Sequence, residues 1–549
     1  MTAKDALIQL RDENAWIVAA TQLLRCNREV FRLLCEQAVE DGRKGNIGSA
    51  VFSAIVAAEY AVHNHPGVFV DSGLEHLFVR SSEALGDGSR AMTSHSHSKR
   101  AVKHKRRVLH VITTAYTLGG HARWAANWIL NDPASFHSVV LLRQLREPLP
   151  QYLAKAVHSR AGRIIRLDVW PGAVLERARR LRAMARDFDY VVLYTHPSDP
   201  CPALAFASGA CRSRIILANH AEHLFGIGVT AANTFCNLRQ SSADLAAQRR
   251  GIAANHLSML PLPLEMPRRR LSRRDAKLRL GVPEDSVVLL TIGAAYKYSC
   301  FAGLDFFDLH RTLMRRDPKL YLLAAGPSPH QRQQVVGDAV DGRVRMLGTR
   351  ADLRELFEAA DLILESYPFG STTAALQGGS YGNPVLTLMY PRTPLGKIFR
   401  TDDPALGGEI VAPCSPEAYS DVILHLSRQH DQRVELGERT ARRIGESRAI
   451  ESWSQALEKV YDSAEQLDRI GAPEPATAEA EVDLLVASLA AASGRSLTPG
   501  EIRRGNARLL PVGARIREIM RSSEGQWLRD AKLLVPEWIV ARVGSLAGR

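Results

Sequence analysis

Residues 367–388 read YPFGSTTAALQGGSYGNPVLTL, and the turn Gly370-Ser371-Thr372-Thr373 stands between an apolar segment, DLILES (361–366), and a stretch of helical composition. A glycine lets backbone approach a ligand closely, and hydroxyls beside the N–H groups of a helix start offer donors to an anion. The same residues also suit a plain helix N-cap by Ser371 or Thr372. Lys297 weighs toward the anion, because it lies in TIGAAYKYS, just after another strand and its turn glycine, Gly293. Loops that follow neighbouring strands can face one crevice. Lys297 and the Gly370–Thr373 turn together predict a diphosphate site that needs no metal.

Histidines supply the complementary chemistry. Gly119-Gly120 precedes a helix starting near His121, in TLGGHARWAANWI, and His220 and His223 lie in ILANHAEHLFGIG, again after a strand. Histidine is the usual general base near neutral pH, so His121 and His220 are the catalytic candidates. Gly120, Gly293 and His223 are further ligand-site candidates.

The elements that must position these residues alternate. RVLHVIT (107–113), SVVLL (138–142), RIIRLD (163–168), YVVLYTH (190–196) and RIILANH (214–220) read as buried strands with amphipathic stretches between them. After LPLPLEMPRRR the pattern begins again with SVVLLTIG (286–293), LYLLAAG (320–326), VRMLGT (344–349), DLILES (361–366) and PVLTL (384–388). Such alternation predicts α/β architecture: two doubly wound, Rossmann-like parallel sheets with ligands at the carboxyl ends of their strands. The expected units are a helical region (1–82), a basic linker (83–105), a first Rossmann-like lobe (106–265), a second Rossmann-like lobe (266–465) and a helical tail (466–549).

The 549 residues carry a net charge of +13, concentrated in Lys99–Arg107 and Arg268–Arg274. Both clusters are expected to be solvated connectors, with contact to a membrane surface, through them or through the apolar-basic tail QWLRDAKLLVPEWIVARV, as the alternative. No aromatic-interleaved basic patch points to nucleic acid. His95, His97 and His104 fall in linker composition without a cysteine or carboxylate to complete a metal site. Seven scattered cysteines without a CxxC pair suit reduced thiols, and the charged N-terminus has no signal-peptide core. A cytoplasmic protein, peripheral to the membrane at most, is expected.

The span 107–465 resembles the nucleotide-sugar glycosyltransferases of the two-lobed GT-B fold, and its motifs are most similar to the O-GlcNAc transferase type. The resemblance rests on Tyr296-Lys297 after the first strand of the second lobe, on Ala360-Asp361 with Pro368 and Gly370-Ser371-Thr372-Thr373, on Gly382-Asn383-Pro384-Val385-Leu386-Thr387, and on the glycine-histidine turn at His121. It implies that Lys297, Gly370, Ser371, Thr372 and Thr373 hold the diphosphate of the donor and that His121 lies near donor and acceptor. The sequence departs from the pattern in having Ser371 where a histidine usually precedes the two threonines. Leu376 or Gln377 stands where an acid usually holds the ribose. Retaining enzymes of this fold carry two glutamates eight residues apart, whereas Phe369 and Gln377 stand here, which implies inversion.

The expected activity is a metal-independent hexosyl or N-acetylhexosaminyl transfer from a nucleotide sugar, with a UDP-sugar preferred as co-substrate. No cofactor is expected, and the acceptor is left open among protein, glycan, lipid and small molecule. A nucleotide-sugar epimerase or hydrolase, or a scaffold that kept the fold and lost catalysis, is the alternative.

Overall fold

Alternation of buried side chains decides the layering. In β1 (Arg107–Ile112) Val108 and Ile112 join one core cluster and Leu109 and Val111 another, all without solvent exposure. A strand buried on both faces requires helices on both sides. β8 (Val287–Ile292) repeats this, with Val287 and Leu289 on one face and Val288 and Leu290 on the other. The computed structural model describes residues 13–86, 105–117, 120–264, 266–298, 300–301, 303–328, 342–350, 352–390, 399–400, 402–448, 450–474, 481–492, 496–522 and 531–547.

Around β1 the first sheet assembles β2 (Phe136–Leu141), β3 (Ile164–Arg166), β4 (Tyr190–Tyr194), β5 (Arg214–Asn219), β6 (Thr234–Asn237) and β7 (Leu257–Met259) in the parallel order β3-β2-β1-β4-β5-β6-β7. Its central register pairs Val108 with His137 on one side and with Tyr190 on the other. The second sheet adds β9 (Leu320–Ala325), β10 (Val344–Gly348), β11 (Leu362–Leu364) and β12 (Val385–Leu386) in the order β10-β9-β8-β11-β12, again parallel. All ten sequence-predicted strands form. β6 and β7 were missing from the sequence reading, because TFCN and LSM are too short and too polar to show an alternation.

Helices outside the two sheets tie them together. Glu13–Arg43, 31 residues and so about 46 Å long, sets Trp16 edge-on against Phe301 of the second lobe and Phe31 edge-on against Phe225 of the first, each at 5.2 Å. In the tail helix Glu481–Ala492, Val482, Leu485 and Val486 pack into the second-lobe core. The buried Asp483 of that helix meets Nε2 of His65 at 3.1 Å and accepts from Arg249 Nη2 at 2.6 Å. The helix Ile450–Gln466 crosses back to the first lobe. There Trp453, Leu457, Val460 and Tyr461 enter the core beside Trp124 and Trp128, and Trp128 donates to Tyr461 Oη at 2.9 Å.

In the arginine run at 268–274, Arg268, Arg269, Arg270 and Arg274 are exposed, as a solvated connector requires. Arg273, half-buried, donates to the Ala360 carbonyl (2.9 Å) and to Asn383 Oδ1 (3.1 Å), and Arg269 donates to the Glu358 carbonyl (3.1 Å). Of the other cluster, Arg106 pairs with Glu458 at 2.7 Å and lies 4.0 Å over the Tyr461 ring. Lys99, Arg100, Lys103 and the three linker histidines lie outside the described residues.

Candidate active site

Each sheet reverses its strand order once, at β1 beside β4 and at β8 beside β11. Loops leaving such a pair part to opposite sides and open a crevice at the carboxyl ends. The loops and helix starts after β1, β5, β8 and β11 carry every residue singled out from the sequence.

In the first lobe the histidines gather. His121, in the first turn of the helix Gly120–Asn131, donates from Nε2 to the Thr114 carbonyl at 2.8 Å, which leaves Nδ1 with its lone pair. The His220 ring stands 5.0 Å from that of His121, and its Nδ1 faces the Ala218 carbonyl at 3.3 Å. Burial lowers the His121 pKa against the opposing hydrogen bond to the Thr114 carbonyl. His220 is pushed down to about 3 by burial and by His121. Both rings are therefore neutral at pH 7, and each keeps one unprotonated nitrogen. A Cβ at Gly120 would meet nothing within 4 Å, so the helix start faces open space.

In the second lobe Lys297 and the hydroxyl turn meet. Lys297 Nζ donates to the Gly370 carbonyl at 2.7 Å and to Ser371 Oγ at 3.1 Å, and it lies 5.1 Å from the Phe369 ring centre. Ser371 occupies the N-cap position of the helix Thr372–Ser380, yet its hydroxyl makes no cap bond. It turns instead to Lys297 and, at 2.9 Å, to Ser366 Oγ. The plain N-cap alternative is thus not what Ser371 does. Thr373 is exposed on the same helix, and Gln377 lies one turn further along that face. Burial lowers Lys297 to about 8, with Glu365 opposing and Arg239 reinforcing the shift.

Two glycines are required here by contact. A Cβ at Gly370 would run into Glu365 Oε1 and lie 2.8 Å from the Phe399 carbonyl. One at Gly293 would sit 2.9 Å from Ser371 Oγ and 3.3 Å from Lys297 Cδ.

His223 joins the lobes rather than the histidine cluster. Its ring packs edge-on against Phe369 at 4.8 Å, and burial together with Arg239 pushes its pKa down to about 3. Beside it, Arg239 of the first lobe binds Glu222 Oε1 through Nε at 2.8 Å, donates to the Arg400 carbonyl, and reaches Asp402 at 3.1 Å.

Sequence reasoning overlooked several site residues. His196, at the carboxyl end of β4, has its ring 6.0 Å from His121 and stacked on Tyr116 at 5.9 Å, and burial lowers it to about 4. The quoted segment YVVLYTH contained it, and its place at the strand end was the available signal. Glu365, under the turn, accepts from Thr387 Oγ1 and is 4% exposed. Arg400 donates to the carbonyls of Leu388 (2.7 Å), Tyr390 (3.0 Å) and Pro368, and so fixes the loop that carries Phe369 and Gly370. No pattern announces a residue that acts through backbone carbonyls. Among the described residues no group of three His, Cys, Asp or Glu is placed to hold a metal ion.

No protein-family model and no curated protein matches this chain. Solved structures do. HepE of Anabaena in complex with UDP is 12% identical with a TM-score of 0.51, covering 65% of this chain and 100% of its own. A glycosyltransferase of Rickettsia africae is 10% identical with a TM-score of 0.51, covering 66% and 99%. An O-GlcNAc transferase mutant of Thermobaculum terrenum, 15% identical over 83% of this chain and 89% of that one, has a TM-score of 0.47, too low to bear on the argument. Two parallel doubly wound sheets, each with one switch point, and alignment over the whole of such structures lead to one conclusion: this chain has the GT-B fold.

Proposed function

We propose that the protein transfers a sugar from a nucleotide-diphosphate sugar, with UDP as the nucleotide, to an acceptor hydroxyl. The observation that carries this reading is the bond pair from Lys297 Nζ to the Gly370 carbonyl and Ser371 Oγ, at a helix start whose N-cap hydroxyl is turned away from capping. An ammonium, hydroxyls and helix N–H groups stabilise a diphosphate most when its charge grows, as it does on leaving a sugar. Lys297 and Ser371 would hold the diphosphate, with Thr372, Thr373 and the close backbone of Gly370 and Gly293 completing the cradle. Gln377, uncharged, would contact the ribose in place of an acid.

On the facing side, the unprotonated nitrogen of His121 or His220 would accept the proton of the acceptor hydroxyl. That oxygen attacks the anomeric carbon as the bond to the diphosphate breaks, in a single displacement with inversion. The depressed pKa values keep the rings neutral and ready to accept. Neutralisation of the leaving group by side chains requires no metal in this scheme.

Titration calorimetry of UDP, with GDP as control, into the wild-type protein and Lys297→Ala tests the reading. UDP-selective binding that the substitution abolishes is the expected outcome. Binding of neither nucleotide would remove the donor-site assignment. Loss of UDP-sugar turnover in both His121→Ala and His220→Ala, with UDP binding retained, is expected of the proton-accepting side.

A further inference from the structure

The tail helix Val512–Ser522 shows an uneven surface. Val512, Ile516 and Met520 are 52%, 41% and 74% exposed. At about 100° per residue they form one stripe, and Arg517 flanks it on the solvent side. The opposite side is anchored. Ile519 is buried, Arg515 donates to the carbonyls of Leu534 (2.9 Å) and Leu510 (2.7 Å), and Glu518 takes Arg503 at 3.2 Å. The segment held against this helix through Arg515 brings Leu534 and Val535, 40% and 39% exposed, with exposed Lys532 beside them.

Charge on this face has one sign. Among the described residues of 496–547 the acids are Glu501, Glu518 and Glu537. Glu518 and Glu537 are buried against arginines, and Glu501 folds back on Thr498 at 2.8 Å. Arg517, Lys532 and Arg542 remain exposed. An exposed apolar stripe edged by Arg517 and Lys532, with Glu518 and Glu537 turned inward, complements a surface that is anionic outside and apolar just beneath. We infer that Val512, Ile516 and Met520, with Leu534, Val535, Arg517 and Lys532, dock the protein on an anionic lipid bilayer. The helix lies in the headgroup plane. No described helix is long and apolar enough to cross the membrane. The docking stands independently of the sugar-transfer reading.

Flotation of the full-length protein with vesicles of phosphatidylcholine, alone or mixed with phosphatidylglycerol, tests it. The wild type is expected to float with the mixed vesicles only, less so as salt rises. The double substitution Ile516→Ser, Met520→Ser should lower partitioning at least about tenfold, and Arg517→Gln about fivefold. Both variants change exposed side chains, and unchanged circular dichroism and melting temperature show that they fold. No flotation of the wild type, or equal flotation of the double variant, overturns the inference. So does a dimer in gel filtration that the double variant converts to monomer without vesicle binding, which would assign the face to a second copy of the chain.

Discussion

Replacing Lys297 by alanine is the sharpest test of the donor site, and its size follows from the geometry. Nζ already donates to the Gly370 carbonyl at 2.7 Å and Ser371 Oγ at 3.1 Å, so the ammonium is positioned before any ligand arrives. Its pKa of about 8, lowered chiefly by burial, means that the site holds a partly desolvated cation that is mostly charged at pH 7. A unit charge about 4 Å away at an effective dielectric near 20 interacts by about 4 kcal/mol. A charge-assisted hydrogen bond alone contributes about 1.5–3 kcal/mol. Loss of Lys297 should therefore cost about 3–4 kcal/mol, or roughly two to three decades in Kd for UDP. Calorimetry with uridine as a second ligand separates the phosphate contact from a general collapse of the pocket, because uridine affinity should be unchanged in Lys297→Ala. A folded variant that binds UDP within about twofold of wild type would refute the reasoning.

Three further outcomes follow from the same contacts. UDP affinity should fall as pH rises through about 8, by at most tenfold per pH unit, because only the protonated Lys297 neutralises phosphate; titrations between pH 7 and 9 should show this slope in the wild type and not in Lys297→Ala. Gly370→Ala drives a Cβ into Glu365 Oε1 and against the Phe399 carbonyl, which should destabilise the turn by about 1–3 kcal/mol and weaken UDP binding with little change in overall melting. Glu537→Gln removes the partner of Arg143 (2.8 Å) and the buried Arg177 (2.7 Å), which should cost about 3–5 kcal/mol in urea unfolding. Burial opposes ionisation of Glu537, but Arg143 and Arg177 hold its pKa down to about 2, below the unfolded 4.5. Its contribution is therefore fully present above about pH 4.5 and lost as the pH falls toward 2, so wild type and variant should converge in acid.

Much of this site was legible because the chemistry sits where the topology demands it. Strand–helix alternation announced both sheets, and residues just after strands, such as Lys297, Ser371 and His220, were singled out because the carboxyl ends of strands host ligands. His196 obeys the same rule and was passed over, since one histidine at the end of an apolar run looks like the rest of the strand. Arg400 and Arg239 had no local signal: the chain must fold to bring the carbonyls of Leu388 and Tyr390 to one and Glu222 to the other, and Asp402 meets Arg239 only across the lobe boundary. The arginine run at 268–274 meets the same limit: four of its five arginines are exposed, as charge density in sequence suggests, but the carbonyls that Arg273 and Arg269 reach are not displayed by composition.

The same long-range contacts govern how the two halves of the site face each other. His121 and His220 follow strands of one sheet and Lys297 and Ser371 strands of the other, so the proposed transfer depends on the angle between the lobes. A single connector near residue 265 would leave that angle free, since interfaces between domains of one chain usually permit motion. Here the helix Glu13–Arg43 packs on both cores, through Trp16 and through Phe31. Asp483, on a helix whose apolar face lies in the second-lobe core, is held by Arg249 of the first lobe and by His65. Arg239 adds a third link through Asp402, and His223 a fourth through Phe369. Rotating the lobes apart would have to part Asp483 from Arg249, Arg239 from Asp402 and His223 from Phe369 together, so these links oppose opening jointly. Entry of the proposed donor would then rest with the loops after β8 and β11, and the helical extensions are what keeps the two halves of the candidate site in register.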